Sequence, residues 1–210
     1  MNLLLFTEQD RSGSDQIRIK GRRLQHLLKV HRARVGDSLR VGELGGLMGA
    51  GRIASLDSDS HSATITFQLD SPPPEKLPVI LLVALPRPKM LRRILRSVAE
   101  FGVPELILCN SFRVEKSYWQ SPVLAEHTLR DYFLQGLEQA RDTILPRLSL
   151  ERRFKPFVED RLPTLLAGRR GLLAHPSPGA PAAPTTTATP LLLAVGPEGG
   201  FIPYEVDLLQ

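Results

Sequence analysis

The sequence predicts an α/β protein of two domains, a small β-barrel followed by a mainly parallel sheet with helices on both faces. Three observations predict it. Residues 1–71 alternate short apolar runs with glycine, aspartate and serine, as the strands and turns of a small β domain do. The stiff stretch "SPPPEKLP" (Ser71 to Pro78) then interrupts the chain. Beyond it, unbroken apolar runs such as "VILLVAL" and "ELILC" alternate with segments of helical spacing, the rhythm of βαβ units. The domains are therefore drawn as 1–71 and 72–210.

In the first domain "SLRVGEL", "GRIASL" and "SATITFQL" read as strands, and "GRRLQHLLKV" as one short helix. "GELGGLMGAG" lacks the G-K-[ST] of a phosphate loop and reads as hairpin turns. In the second domain "KMLRRILRSVAEFG" is expected to be helical, with Leu91, Ile94, Leu95 and Val98 on one face and Gly102 closing the end. "SPVLAEHTLRDYFLQGLEQARDT" is expected to be a longer helix capped by Ser121, with Pro122 in its first turn. "RLSLE", "FVEDRLPTLLAG", "GLLAH" and "LLLAV" continue the alternation. The low-complexity stretch "SPGAPAAPTTTATP" (177–190) reads as a surface insertion without chemistry.

Composition narrows the functional classes. Of 210 residues 42% are hydrophobic, enough for a packed core. Lys and Arg number 27 against 22 Asp and Glu, a net charge of +5, which suggests a polyanionic partner. The charge is concentrated: Ile17 to Arg40 holds eight basic residues and the single acid Asp37, and Pro86 to Arg96 holds five basic residues and no acid. These two segments read either as solvated faces or as an extended anion-binding groove. The one cysteine, Cys109, excludes an internal disulfide and reads as a buried strand residue. Without a cysteine pair or H-x-x-x-H spacing, no metal site is expected. No run is apolar enough for a membrane span, and "MNLLLF" is too short for a signal peptide, so a cytoplasmic protein is expected.

The chemistry concentrates at two strand ends. "LLLAV" runs into "GPEGGF", at the carboxyl end of a buried strand, the edge where open α/β sheets bind ligands. Gly199 and Gly200 permit positive φ and close approach of a ligand to the backbone, although a turn that needs glycine for its conformation alone fits equally well. "LLAHP" (Leu172 to Pro176) ends another strand. The two ends together could form two walls of one pocket.

These blocks carry a resemblance. "HLLKVHRARVGDSLRV", "LPRPKMLRRILRSVAEFGVPELILCNSFRVEKS", "LEQARDTILPRL", "LLAHP" and "LLLAVGPEGGF" resemble, in order and approximate spacing, the ribosomal RNA small subunit methyltransferase E family of the SPOUT superfamily of knotted methyltransferases. The resemblance implies a PUA-like β-barrel at 1–71 that holds RNA and a SPOUT α/β domain at 72–210. It implies S-adenosylmethionine as cofactor, N3 of one uridine in 16S rRNA as the methyl acceptor, and a homodimer. Carried onto this chain, Leu173, His175, Pro176, Gly196, Pro197, Glu198, Gly199 and Gly200 would line the cofactor pocket. Arg113, in "SFRVEKS", would lie near the target base as the candidate catalytic residue. Arg22, Arg23, Lys29, Arg32, Arg34, Arg87 and Lys89 would contact RNA. Methyl transfer needs positioning rather than a metal.

The family pattern continues past GPEGG through a helix, a strand and a segment of the form L-G-x-R-[IV]-L-R-x-E-T. The present sequence stops at "YEVDLLQ", so it reads as a truncated member lacking the last strand and helix. Its 210 residues are expected to be inactive by themselves, with Val206, Leu208 and Leu209 left uncovered. The alternatives are a catalytically inactive RNA-binding fragment of the same family, and an unrelated α/β enzyme acting on a small anionic metabolite.

Overall fold

The structure is a computed structural model that describes residues 2–30, 32–57, 59, 61–176, 182 and 188–210. Most of the 177–190 insertion lies outside the described residues. The chain groups into two compact units, Met1–Glu75 with Leu134–Leu145, and Lys76–Phe133 with Pro146–Gln210.

The first unit is a six-stranded mixed sheet. Its strands are β1 (Leu4–Phe6), β2 (Arg11–Gly13), β3 (Gln16–Ile19), β4 (Ser38–Glu43), β5 (Met48–Asp57) and β6 (Ser62–Ser71), in the order β1-β4-β5-β6-β3-β2. Only β1 and β4 pair in parallel. Alternation decides which face is buried: Ile17 and Ile19 of β3 point inward while Arg18 between them is exposed. They meet Val41, Ile53, Ala63 and Ile65, and α1 (Gly21–Lys29) closes the core with Leu24 and Leu27, three residues apart. β1, β2 and β3 were not singled out in the sequence, because three- and four-residue strands are too short to show a period.

The glycine-rich stretch does more than turn. A Cβ on Gly49 would stand 1.9 Å from Gln68 O, so the backbones of β5 and β6 approach as closely as only glycine allows. The approach coincides with a register shift between Met48 and Gly49. The sheet curls strongly. Arg11, on the β2 edge, donates from Nη2 to Glu43 Oε2 of β4 at 2.8 Å, and its guanidinium lies over the rings of Phe6 in β1 and Phe67 in β6.

A second ion pair, between Arg23 and Asp10, also fastens this unit internally. Arg23 donates to Asp10 Oδ2 at 2.8 Å, to Asp10 Oδ1 at 2.5 Å and to Leu5 O at 2.9 Å. Burial pushes the Asp10 carboxyl up, but the hydrogen bonds from Arg23 and the Thr7 amide outweigh it and hold Asp10 below the ordinary carboxylate range. The folded form therefore binds the proton less readily than the unfolded chain. The stabilisation is full above the ordinary value of 3.8 and is lost as pH falls through the lower folded value. Asp10→Asn is expected to lower stability at neutral pH and to flatten the acid limb of a stability–pH curve measured by urea unfolding. An unchanged acid limb would remove Asp10 from that account.

The second unit holds a five-stranded sheet, all parallel: β7 (Val79–Ala84), β8 (Glu105–Cys109), β9 (Arg147–Glu151), β10 (Arg170–Ala174) and β11 (Leu191–Val195), in the order β10-β11-β7-β8-β9. β8 is buried at all five positions, as its unbroken apolar run requires. α2 (Pro88–Glu100) buries Leu91, Leu95, Val98 and Ala99. Ile94 lies at the margin of that stripe and is only half-buried.

One expected helix start is corrected. Ser121 Oγ does accept a hydrogen bond from Val123 N, at 3.2 Å, but it caps a single 3-10 turn, Pro122–Leu124. The long helix α3 starts later and spans Glu126–Ala140. The segment "FVEDRLPTLLAG", read only as part of the alternation, is helical in pieces: α4 (Phe154–Pro156) leads through a π-helical turn, Phe157–Arg161, into α5 (Leu162–Leu166). Pro163 has no N–H for Glu159 O, and the wider turn before it accommodates the missing bond. At the chain end, α6 (Pro203–Leu209) forms, and Val206, Leu208 and Leu209 are half-buried rather than bare. Leu209 faces the same groove as Leu162, Leu166 and Leu172.

Candidate functional site

A parallel sheet places every strand's carboxyl end on one edge, and the chemistry-bearing residues gather there. Ala174 pairs with Val195 and Val195 with Val83, so His175 and Gly196 leave neighbouring strands side by side. On the other flank Ala84 pairs with Cys109, and the chain then turns through Asn110 to Arg113.

The turn after β11 is tight. Gly200 has φ +73, a conformation that suits glycine, and its N–H donates to Pro197 O at 2.7 Å. A Cβ on Gly200 would lie 3.8 Å from His175 Cε1, and one on Gly199 would lie 3.0 Å from Arg113 Cδ. Arg113 Nη1 donates to Gly199 O. His175, Gly199, Gly200 and Arg113 thus form one group, although 24 residues separate His175 from Gly199 and 86 separate Arg113 from Gly199. His175 Nδ1 is shielded from solvent and has no hydrogen-bond partner.

Glu198 points the other way. Arg87 grips it with both arms of its guanidinium, Nε at 2.6 Å. The Arg87 hydrogen bond holds the Glu198 carboxyl below the ordinary range. Both side chains are more than half exposed, so salt screens the pair. Gly196 has a packing role: a Cβ there would stand 3.1 Å from the Phe201 ring. Leu173 and Pro176 flank His175, half-buried and exposed respectively.

Glu205 is a residue at this edge that sequence reading missed. It is 3% exposed, and its carboxylate accepts from Phe112 N at 2.7 Å and Ile202 N at 3.1 Å. It therefore ties the 110–114 loop to the start of α6. Its place two residues after Pro203 was a legible signal for the Ile202 bond, because acids favour the first turn of a helix. Nothing in the sequence signalled the bond to Phe112. Burial, aided by the nearby Glu205 charge, pushes the Cys109 thiol up to about 12, so Cys109 is a neutral core residue.

The basic residues divide by what they touch. Arg22 donates to Glu138 at 2.8 and 3.0 Å, Arg23 is held by Asp10, and Arg87 by Glu198. Lys29, Arg32 and Arg34 are exposed near one another along the first unit's sequence, and Lys89 is exposed on α2. Among the described residues no group of His, Cys, Asp or Glu could hold a metal ion, and no helix is long and apolar enough to cross a membrane.

Comparison with known proteins gives the class of this α/β unit, an RNA methyltransferase domain. Residues 73–210 match the family model of that description, and the chain belongs to the family. Its similarity extends to ribosomal RNA small subunit methyltransferases E. The protein of that name from Treponema pallidum is 28% identical over 158 residues, 75% of this chain and 59% of the relative. The one numbered 1 in Borreliella burgdorferi is 27% identical over 156 residues, 74% and 63%. The matches span less than two thirds of either relative's length. Among solved structures, a probable rRNA-methyltransferase from Porphyromonas gingivalis superposes with a TM-score of 0.70 at 20% identity, over 98% of this chain and 84% of that one. The ribosomal RNA small subunit methyltransferase E of Neisseria gonorrhoeae, solved bound to S-adenosyl methionine, gives 0.70 at 16% identity, over 99% and 85%. These likenesses concern the fold.

Proposed function

We propose that this chain serves the S-adenosylmethionine-dependent methylation of N3 of a uridine in the 16S rRNA of the small ribosomal subunit. The observation that carries the proposal is the meeting of Arg113, His175, Gly199 and Gly200 at one sheet edge. The residues fit the cofactor: His175 Nδ1 is an orphaned polar atom, and two positions without side chains open the backbone beside it. Leu173, His175 and Pro176 from one strand end, and Gly196, Pro197, Glu198, Gly199 and Gly200 from the other, would hold it. When bound, S-adenosylmethionine supplies the methyl group from its sulfonium.

The chain's own residues do the rest. Uracil N3 is weakly acidic and must shed its proton before it attacks. Arg113 has five N–H donors, and one bonded to Gly199 O leaves others for the uracil oxygens, where the negative charge collects. N3 lies on the Watson–Crick edge, so the uridine must be unpaired when it enters.

The first unit is proposed as a PUA-like barrel that holds the RNA, a reading supported by its curled sheet and its exposed Lys29, Arg32 and Arg34. Replacing these three with alanine is expected to reduce the slope of log affinity against log salt by roughly one unit per lost phosphate contact. A slope that stays put would make the patch a solvated face. The working form is proposed to be a homodimer in the cytoplasm. Labelled S-adenosylmethionine and small subunits lacking the modification test the main proposal. The protein that carries this chain should yield N3-methyluridine on digestion, and label at another atom would overturn the assignment.

A further inference from the structure

We propose that the second unit carries a subsite for an unpaired nucleobase of single-stranded RNA, in a cavity of about 550 Å³ between the 110–120 loop, the start of α4 and the start of α6. The proposal rests on the RNA methyltransferase reading but uses none of the cofactor residues. The cavity is lined by Ser111, Phe112, Lys116, Trp119, Arg152 and Tyr204, among others.

Four features of this lining match a nucleotide. Phe112 and Tyr204 are 77% and 52% exposed. Large rings left this bare offer π-faces on which a base can stack. Lys116 and Arg152 supply positive charge for the flanking phosphates, and both are exposed, whereas Lys155 shares its charge with Glu159 at 3.6 Å. The one acid in the lining, Glu205, is already engaged by the amides of Phe112 and Ile202, so its charge is turned away from a ligand's phosphates. Finally, Ser111 Oγ is shielded from solvent on a residue 3% exposed, and it has no hydrogen-bond partner. A buried hydroxyl without a partner is costly, and its ability both to donate and to accept suits the polar edge of a base.

The far wall is held by two contacts. Trp119 Nε1–H donates to Asn110 Oδ1 at 2.9 Å, and Arg152 covers the indole at 4.8 Å from its centroid. A peptide would be met by the same aromatic rings, but Lys116 and Arg152 in a lining whose one acid is already hydrogen-bonded favour a polyanion.

Trp119 is the chain's single tryptophan, so its emission reports on this cavity alone. A short single-stranded oligouridylate should quench it, and an RNA duplex of the same length should not, because paired bases stay within their own stack. Phe112→Ala and Tyr204→Ala should each weaken the oligouridylate by roughly 10-fold to 100-fold while leaving the thermal melt in place, since both rings are exposed. Ser111→Ala should weaken binding too, yet leave the free protein at least as stable, because it removes an unpaired buried group. Wild-type affinity in the Phe112→Ala, Tyr204→Ala double variant overturns the subsite, and so does a Trp119 emission indifferent to oligouridylate. S-adenosylmethionine binding, measured by calorimetry on the same preparations, reads the methyltransferase assignment separately, so either can fail while the other stands.

Discussion

Replacing Arg113 with alanine is expected to slow methyl transfer by the protein carrying this chain about 10²–10³-fold, the usual loss when one positioned charge stabiliser is removed. Stability should change little, because Arg113 is exposed and its hydrogen bond goes to a turn carbonyl. The loss should fall mainly on the rate at saturating substrate, since the guanidinium is proposed to act on charge that develops only when N3 loses its proton. Arg113→Lys keeps the charge but not the planar fork, and an intermediate rate is expected. Transfer of label to small subunits at the unsubstituted rate by Arg113→Ala would mean that the side chain merely braces the Gly199 turn.

Gly199→Val is expected to reduce S-adenosylmethionine affinity by at least about 100-fold while leaving the circular dichroism spectrum unchanged. The first added carbon would already stand 3.0 Å from Arg113 Cδ, so valine must push the arginine stem aside. The same bulk would fill the open backbone beside His175, where the cofactor is proposed to lie. Strain of roughly 1–3 kcal/mol is expected from such overpacking, and the turn should yield before the sheet does. Calorimetry supplies the check: normal cofactor affinity in a folded Gly199→Val protein would place the cofactor elsewhere. The companion substitution Gly200→Val tests a different cause, because φ +73 strains any larger residue whatever space surrounds it.

Some of this molecule was legible without coordinates. Long or unbroken patterns determined themselves: the buried run of β8, the Leu91–Leu95–Val98 stripe of α2, and the ladder of β4, β5 and β6 all follow from local periodicity and burial. The glycine turn and the histidine strand end were legible for a related reason. Each closes an apolar run, and in a parallel sheet such ends share one edge. Where local signals were weak or in conflict, tertiary context decided. Three short strands had too few residues to show a period. The segment around Pro163 needed a π-turn, and Ser121 capped one turn rather than a helix.

Local pattern was enough for the parallel sheet, its position after Ser71 to Pro78, and membership of the RNA methyltransferase family. Which charged groups are available and which are consumed was settled by the fold. Arg23, Arg22 and Arg87 look like Lys29 and Arg32 in a sequence, yet the fold gives each of the first three a carboxylate. Glu205, an ordinary acid on a short helix, becomes the buried clamp of a loop that lies 93 residues away in sequence. The physical reason is that an ion pair or a buried amide is satisfied by whatever the fold brings within about 3 Å, and that distance carries no trace in the local pattern from which a sequence is read.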